Sequence, residues 1–213
     1  MSSKKLPVVV LISGRGSNLQ AIIEDAGDAD CPFELSAVVS NRPGAAGLDR
    51  ARRANIATRV VDHKSHPSRE SFDSALAETI DAFRPGLVVL AGFMRILARD
   101  FVDHYHGRLI NIHPSLLPEF PGLDTHQRAI ASGAREHGAS VHFVTDALDG
   151  GPLIVQARVP ILPGDDADAL AARVLEQEHR ILPRAIRWFA EGRLRIEGEG
   201  VLLDGEKKGD RSI

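Results

Sequence analysis

Two short runs of apolar, largely β-branched residues constrain this chain most: Val8-Val9-Val10-Leu11-Ile12 and Leu87-Val88-Val89-Leu90. Neither alternates with polar residues, so each suits a strand covered on both faces, as in a parallel sheet. The stretches beside them carry a helical period instead. Leu19, Ile22 and Ile23 fall on one stripe of residues 18–26, and Phe72, Leu76, Ile80 and Phe83 on one stripe of residues 68–83. Further strands are expected over 35–39, 58–61 and 108–113, and further helices over 45–55 and 93–105. This alternation predicts an α/β fold: an open, mostly parallel, twisted sheet of Rossmann-like type, with right-handed crossovers and helices on both faces.

The rhythm changes after His113, where Pro114, Pro118 and Pro121 punctuate a long loop. A short helix is expected over 125–132. Two strands, over 139–145 and 153–159, form an antiparallel addition joined by a turn rich in Asp and Gly. A long helix over 166–191 is interrupted or kinked at Pro183. A small hairpin over 193–204 closes the pattern around Gly198 and Gly200. With no repeat and no low-complexity linker, residues 1–213 read as a single domain whose ends, 1–7 and 205–213, fray.

A formal net charge of −3 gives no general nucleic-acid footprint, although it leaves room for a local basic pocket. One cysteine, Cys31, excludes an intrachain disulfide and fits a reducing compartment. Cys31 itself reads as an incidental small residue. The run Val8–Ile12 is too short for a signal-peptide core or a membrane span, so the chain reads as cytoplasmic, without a membrane partner. Nine histidines raise the question of a metal, but His-Glu-x-x-His and cysteine-rich patterns are both missing and no metal is expected. There is no Gly-x-Ser-x-Gly elbow for a serine nucleophile either.

Ligands of open parallel sheets bind beyond the carboxyl ends of the strands. Four such ends carry polar or glycine residues that a plain connection does not need: Gly14 to Asn18, Gly92 to Arg95, Asn111 to His113, and Asp146 to Gly151. In the first, glycines let a ligand approach the backbone, and amides at the helix start, with Ser17 and Asn18, can hold an anion. The plain alternative is a tight turn with a Ser or Asn cap. Leu19 stands where a dinucleotide loop has its third glycine, and no Gly-Lys-Ser/Thr follows, so a phosphomonoester fits best. Asn111 and His113, two apart on a strand, share one face. Asn can hold an oxyanion and His can move a proton, a minimal kit for attack on a carbonyl. Taken alone, such a pair reads first as structural, and the long irregular loop after it favours function. Asp149-Gly150-Gly151 is either an ordinary turn or a carboxylate presented to orient the imidazole of His113 and favour its charged form.

At these residues the chain resembles the folate-dependent formyltransferase family, in particular the members that act on glycinamide ribonucleotide. The matching stretches are Val9-x-Leu11-Ile12-Ser13-Gly14-x-Gly16-Ser17-Asn18, Ala91-Gly92-Phe93-Met94-Arg95-Ile96-Leu97 and Asn111-Ile112-His113-Pro114-Ser115-Leu116-Leu117-Pro118. Gly138-x-Ser140-Val141-His142-Phe143-Val144, Leu148-Asp149-Gly150-Gly151-Pro152 and Gln177-Glu178-His179 continue the series, so the likeness runs from about residue 8 to residue 204. It implies direct transfer of a formyl group from 10-formyltetrahydrofolate to the amine of glycinamide ribonucleotide, a step of purine synthesis; the chain is expected to work as a monomer or a homodimer. Asn111 would steady the oxyanion, His113 would act as general acid or electrostatic partner, and Asp149 would support His113. Gly16, Ser17 and Asn18 would grip the phosphate, and Glu178 would meet the ribose or glycinamide part. Met94, Arg95, Ile96 and Leu97, with Asn111 and the loop Thr145, Asp146, Ala147, Leu148 and Asp149, would hold the folate. Arg69 would lie near it; Arg69 and Glu178 rest on the resemblance alone.

One departure is Asp124, where some relatives carry a histidine, so an imidazole is not expected to be needed there. Other readings are a formyltetrahydrofolate hydrolase and a non-catalytic phosphate- or folate-binding module. The hydrolases usually place a regulatory domain first and read differently around His113-Pro114-Ser115 and Asp149-Gly150-Gly151. Methionyl-tRNA formyltransferases need a further carboxy-terminal domain. Neither arrangement is expected here, and a nucleic-acid partner is not expected either.

Overall fold

The first apolar run becomes β1 (Leu6–Ile12), whose last five residues are buried. The chain then forms α1 (Ser17–Ala26), β2 (Phe33–Ser40), α2 (Gly47–Arg53), β3 (Thr58–Val60), α3 (Arg69–Asp81) and β4 (Leu87–Leu90). The computed structural model describes residues 5–206. These divide between Ile110 and Asn111 into two compact units. In the first unit β1 pairs in parallel with both β2 and β4, and β2 in parallel with β3. Val8, Val9, Val10 and Leu11 stand opposite Leu87, Val88, Val89 and Leu90, and all eight are buried. Two uninterrupted apolar runs side by side explain why neither sequence alternates. Leu19 and Ile22 of α1, and Phe72, Leu76 and Ile80 of α3, supply the apolar stripes.

The helix expected over 93–105 is shorter. Only α4 (Arg99–His104) is helical, and residues 93–98 are irregular. Gly92 has a left-handed φ of 73°, which turns the chain away from a helical path. Side chains distant in sequence then take its amides: Ser13 Oγ accepts Met94 N–H at 2.7 Å and Asp73 Oδ2 accepts Ala98 N–H at 2.6 Å. Tertiary hydrogen bonds here override the good local helix propensity of Met, Arg, Leu and Ala.

The strand β5 (Leu109–His113) starts in the first unit and ends in the second. The second unit continues with α5 (Thr125–Ala131), β6 (Glu136–Phe143), β7 (Leu153–Pro160), α6 (Ala167–Ala190), β8 (Leu194–Glu197) and β9 (Gly200–Leu203). The strand order is β3-β2-β1-β4-β5-β6-β7, with β6 and β7 antiparallel, so the sheet is mixed and mostly parallel, as expected. The strands β8 and β9 form the expected hairpin as a separate two-stranded sheet. Its base is tied by Arg193, which donates to both carboxylate oxygens of Asp204 at 2.8 and 2.7 Å.

The long helix α6 is capped by Asp166, whose side chain accepts the Ala169 amide at 2.8 Å. Leu170, Val174, Ile181, Leu182 and Ile186 are buried along it. Pro183 does not interrupt this helix, which runs through it. The expected fraying also needs correction: Leu6 and Pro7 already belong to β1, and Glu206 bridges back to Leu203. Residues 1–4 and 207–213 lie outside the described part. Among the described residues no helix is long and apolar enough to cross a membrane.

Candidate active site

In the first unit the loop after β1 delivers its glycines to the start of α1. Gly16 takes the cap position with φ 70°, and no side chain caps the helix. The capped-turn alternative calls for such a side-chain bond, and a helix start of this kind presents backbone amides and a dipole that suit an anion. Gly16 is needed here for two reasons: its backbone is left-handed, and a Cβ would lie 2.7 Å from the Cα of Gly47. The close crossing also brings Gly47 N–H to the carbonyl of Gly14 at 3.0 Å. Beside this loop, at the ends of β1, β2 and β3, opens a cleft of about 640 Å³ lined by Ser13, Gly14, Arg15, Arg42, His63 and Lys64, among others. Arg15, Arg42 and Lys64 give it a cationic rim that the net charge of the chain conceals.

The irregular segment after β4 carries Met94, Arg95, Ile96 and Leu97. Met94 and Ile96 expose 62% and 63% of their surface, although both are large and apolar, which suits a segment that covers an apolar ring. Arg95 lies over the ring of Phe72, its Cζ 5.5 Å from the centroid. Arg69, at the start of α3, is half-exposed and 3.9 Å from Glu70. Arg69 and this segment share a neighbour. The carboxyl of Asp73 is pushed above the ordinary range by burial, and the Ala98 amide, Arg69 and Arg95 oppose that push. Arg69 therefore sits within the electrostatic reach of the segment's own anchor.

In the second unit the trio Asn111, His113 and Asp149 comes together. Asn111 and His113 project from β5. Asp149 comes from the turn between β6 and β7 and holds a left-handed φ of 52°, a conformation that costs a non-glycine residue energy and recurs at functional sites. Its Oδ2 lies 3.5 Å from His113 Nδ1 and accepts Gly122 N–H at 2.8 Å. His113 Nε2 faces the carbonyl of Phe120 at 3.0 Å. A carbonyl can only accept, so Nε2 carries the proton in this arrangement. The same logic orders Asn111. His142 Nδ1 donates to the Phe143 carbonyl at 2.9 Å, so its Nε2 accepts from the Asn111 amide nitrogen at 3.2 Å. The orientation of the Asn111 amide is thereby set, and His142 is held below its ordinary pKa, first by burial.

His142 and the Phe120 carbonyl were not singled out by the sequence reading. His142 stands within a matching motif, but nothing in one sequence says which residue faces Asn111 across a sheet. Leu148, in the expected folate loop, is 61% exposed. Glu178 is buried on α6. Asp124 is the cap residue of α5, with φ 55° and no side-chain cap bond, and the trio does not include it.

Behind His113 the rings of His126 and His137 meet edge to face, 5.2 Å apart. His137 is fully buried, and burial first, then His126, lowers its pKa from the ordinary 6.5 to about 4. His126 moves the same way, again first by burial. Unfolded, His137 takes up its proton near pH 6.5; folded, it does so only near pH 4. The unfolded state therefore binds more protons between these values, and stability falls as pH drops through that window. Thermal melting is expected to show a midpoint that declines from pH 7 to pH 5, with a shallower decline for His137→Leu. An equal slope in the variant means that this ring is not the source.

A family model described as Formyl transferase matches residues 6–186. The chain is 54% identical over 200 residues to the phosphoribosylglycinamide formyltransferase of Escherichia coli (strain K12), covering 94% of each chain. Among solved structures, that of the phosphoribosylglycinamide formyltransferase from Coxiella burnetii, in complex with CHES, superposes with a TM-score of 0.92 at 53% identity, over 98% of this chain and 99% of that one. Glycinamide ribonucleotide transformylase 1 from Symbiobacterium toebii gives a TM-score of 0.91 at 47% identity, over 93% and 94%.

Proposed function

This chain belongs to the formyl transferase family, and on that premise we propose that it transfers the formyl group of 10-formyltetrahydrofolate to the amine of glycinamide ribonucleotide, a step of purine biosynthesis. The observation that carries this reading is the likeness, over 94% of each chain, to an enzyme named for that formyl transfer, with Asn111, His113 and Asp149 brought together in one unit in support.

The amine nitrogen attacks the formyl carbon, and the carbonyl electrons move onto oxygen. Asn111 donates one amide hydrogen to His142, and its other hydrogen serves the developing oxyanion. The tetrahedral intermediate collapses as the bond from carbon to the folate nitrogen breaks. That nitrogen takes a proton, and the amine loses one. His113 manages the transfer as general acid, exchanging the Phe120 carbonyl for the leaving nitrogen, while Asp149 holds the ring from its Nδ1 side. In the first unit, the amides at Ser17 and Asn18 bind the ribonucleotide phosphate, and the cationic rim of the neighbouring cleft raises the local concentration of a phosphorylated substrate. The backbone from Met94 to Leu97 reads the pterin ring, with Arg69 near the folate. In the second unit, residues Thr145 to Asp149 also read the folate, and Glu178 meets the ribose or glycinamide part.

The test is tetrahydrofolate release from 10-formyltetrahydrofolate with and without glycinamide ribonucleotide. Turnover is expected only when the ribonucleotide is present. Equal turnover without it identifies a hydrolase, and no turnover in either case points to another acceptor or to a binding protein.

A further inference from the structure

We infer that Ser13 is a positioning residue for the folate donor: its hydroxyl fixes the backbone of the segment that begins at Met94. This inference rests on the reading that Met94 to Leu97 hold the folate.

Ser13 follows β1 directly and is almost fully buried, yet it belongs neither to the phosphate-gripping residues nor to the trio. It holds the turn after β4 at two points. Its N–H donates to the Gly92 carbonyl at 3.1 Å, and its Oγ accepts the Met94 N–H at 2.7 Å. The hydroxyl hydrogen is directed to Asn41 Oδ1, again at 2.7 Å. Asn41 is fully buried, and its carbonyl accepts the His63 N–H at 3.4 Å and lies 2.8 Å from His63 Nδ1. A side chain that accepts and donates at once, inside the protein, is what this node requires. Alanine in its place leaves the Met94 amide and the Asn41 oxygen without their partner.

The segment needs an external tether. Met94 and Ile96 are exposed, so burial of their side chains does not anchor it, and Phe93 is its buried apolar contact. Gly92 in the left-handed region supplies the reversal but no restraint. Recognition by backbone groups depends on where those groups stand, and small displacements of such groups weaken binding steeply. The hydroxyl thus acts through the Met94 backbone, without touching the donor.

The test is equilibrium binding of a folate analogue whose formyl group cannot be transferred, together with steady-state kinetics and a melting curve for each variant. Ser13→Ala is expected to weaken analogue binding about five- to tenfold, as for one lost buried hydrogen bond, and to raise the folate KM in parallel. Its saturated kcat is expected to stay near wild type, and because Ser13 also lines the cationic cleft, its KM for the ribonucleotide is expected to change less than the folate KM. Ser13→Thr, which keeps the hydroxyl, restores affinity. If Ser13→Ala does not fold, Ser13→Cys, nearly isosteric with weak hydrogen bonding, serves in its place and shows an intermediate loss. Wild-type analogue affinity in a folded Ser13→Ala or Ser13→Cys overturns the inference. So does a loss confined to kcat or to the ribonucleotide KM. A wild-type protein that fails to bind the analogue refutes the folate reading itself, and the inference with it.

Discussion

Replacing His113 with alanine is expected to lower the kcat of formyl transfer by about a thousandfold, the middle of the range for loss of a general acid or base. His113 is buried, with Nε2 on the Phe120 carbonyl at 3.0 Å and Nδ1 facing the Asp149 carboxylate at 3.5 Å, so both ring nitrogens have a polar neighbour. That geometry limits it to one orientation beside Asn111 on the same strand face. Ribonucleotide and folate affinities are expected to change far less than kcat, because neither the loop proposed for the phosphate nor the segment at Met94 contains it. The alanine also leaves the Phe120 carbonyl and the Asp149 carboxylate without the ring. His113→Gln, which keeps volume and a hydrogen-bond donor, therefore separates lost chemistry from lost structure. Single-turnover rates settle the matter. A folded variant of either kind that transfers formyl groups at the wild-type rate removes His113 from the mechanism.

The second large effect is on folding. Gly151→Ala is expected to destabilise the protein by about 3 kcal/mol, the upper end for overpacking a filled site. A Cβ at Gly151 would collide with the Phe143 carbonyl oxygen, which is backbone and cannot swing aside. That carbonyl is also the acceptor that sets the tautomer of His142, and His142 in turn orients Asn111. The turn that ends at Gly151 presents Asp149. One added methyl group therefore strains the β6–β7 connection and displaces both the His142 support of Asn111 and the Asp149 carboxylate. Urea denaturation followed by circular dichroism measures the first effect, and the kcat of the surviving folded fraction measures the second. A stability within about 0.5 kcal/mol of wild type, the usual range for harmless surface changes, means that the backbone there can yield.

Much of this was legible in the chain. Uninterrupted apolar runs announced central parallel strands, and β1 and β4 are neighbours with every paired residue buried. Helical stripes at Leu19 and Ile22, and at Phe72, Leu76 and Ile80, pointed to the faces that are buried. Strand ends then marked Gly14 to Asn18, Gly92 to Arg95, Asn111 to His113 and Asp146 to Gly151 as the places to look. The helix over 93–105 misled because local propensity knows nothing of Ser13 and Asp73, which take its amides from other elements. At Pro183, where an interruption or a kink was expected, the helix is not interrupted: its apolar side is well buried and it runs on through a missing amide.

The sequence by itself determined the alternation of elements, the glycine loop before α1, and the shared face of Asn111 and His113. These follow from chain chirality, side-chain period and the sterics of glycine, all of which act over a few residues. Only the tertiary structure decided that Asp149 meets His113, that His142 orients Asn111, that the Phe120 carbonyl holds the imidazole, and that Ser13 tethers Met94. Each of these is a directional contact a few ångströms long, three of them between groups far apart in the chain and the fourth across the proline-rich loop from His113 to Phe120. Such contacts exist only after the apolar elements have packed, because packing brings the partners within range and removes the water that would otherwise satisfy them.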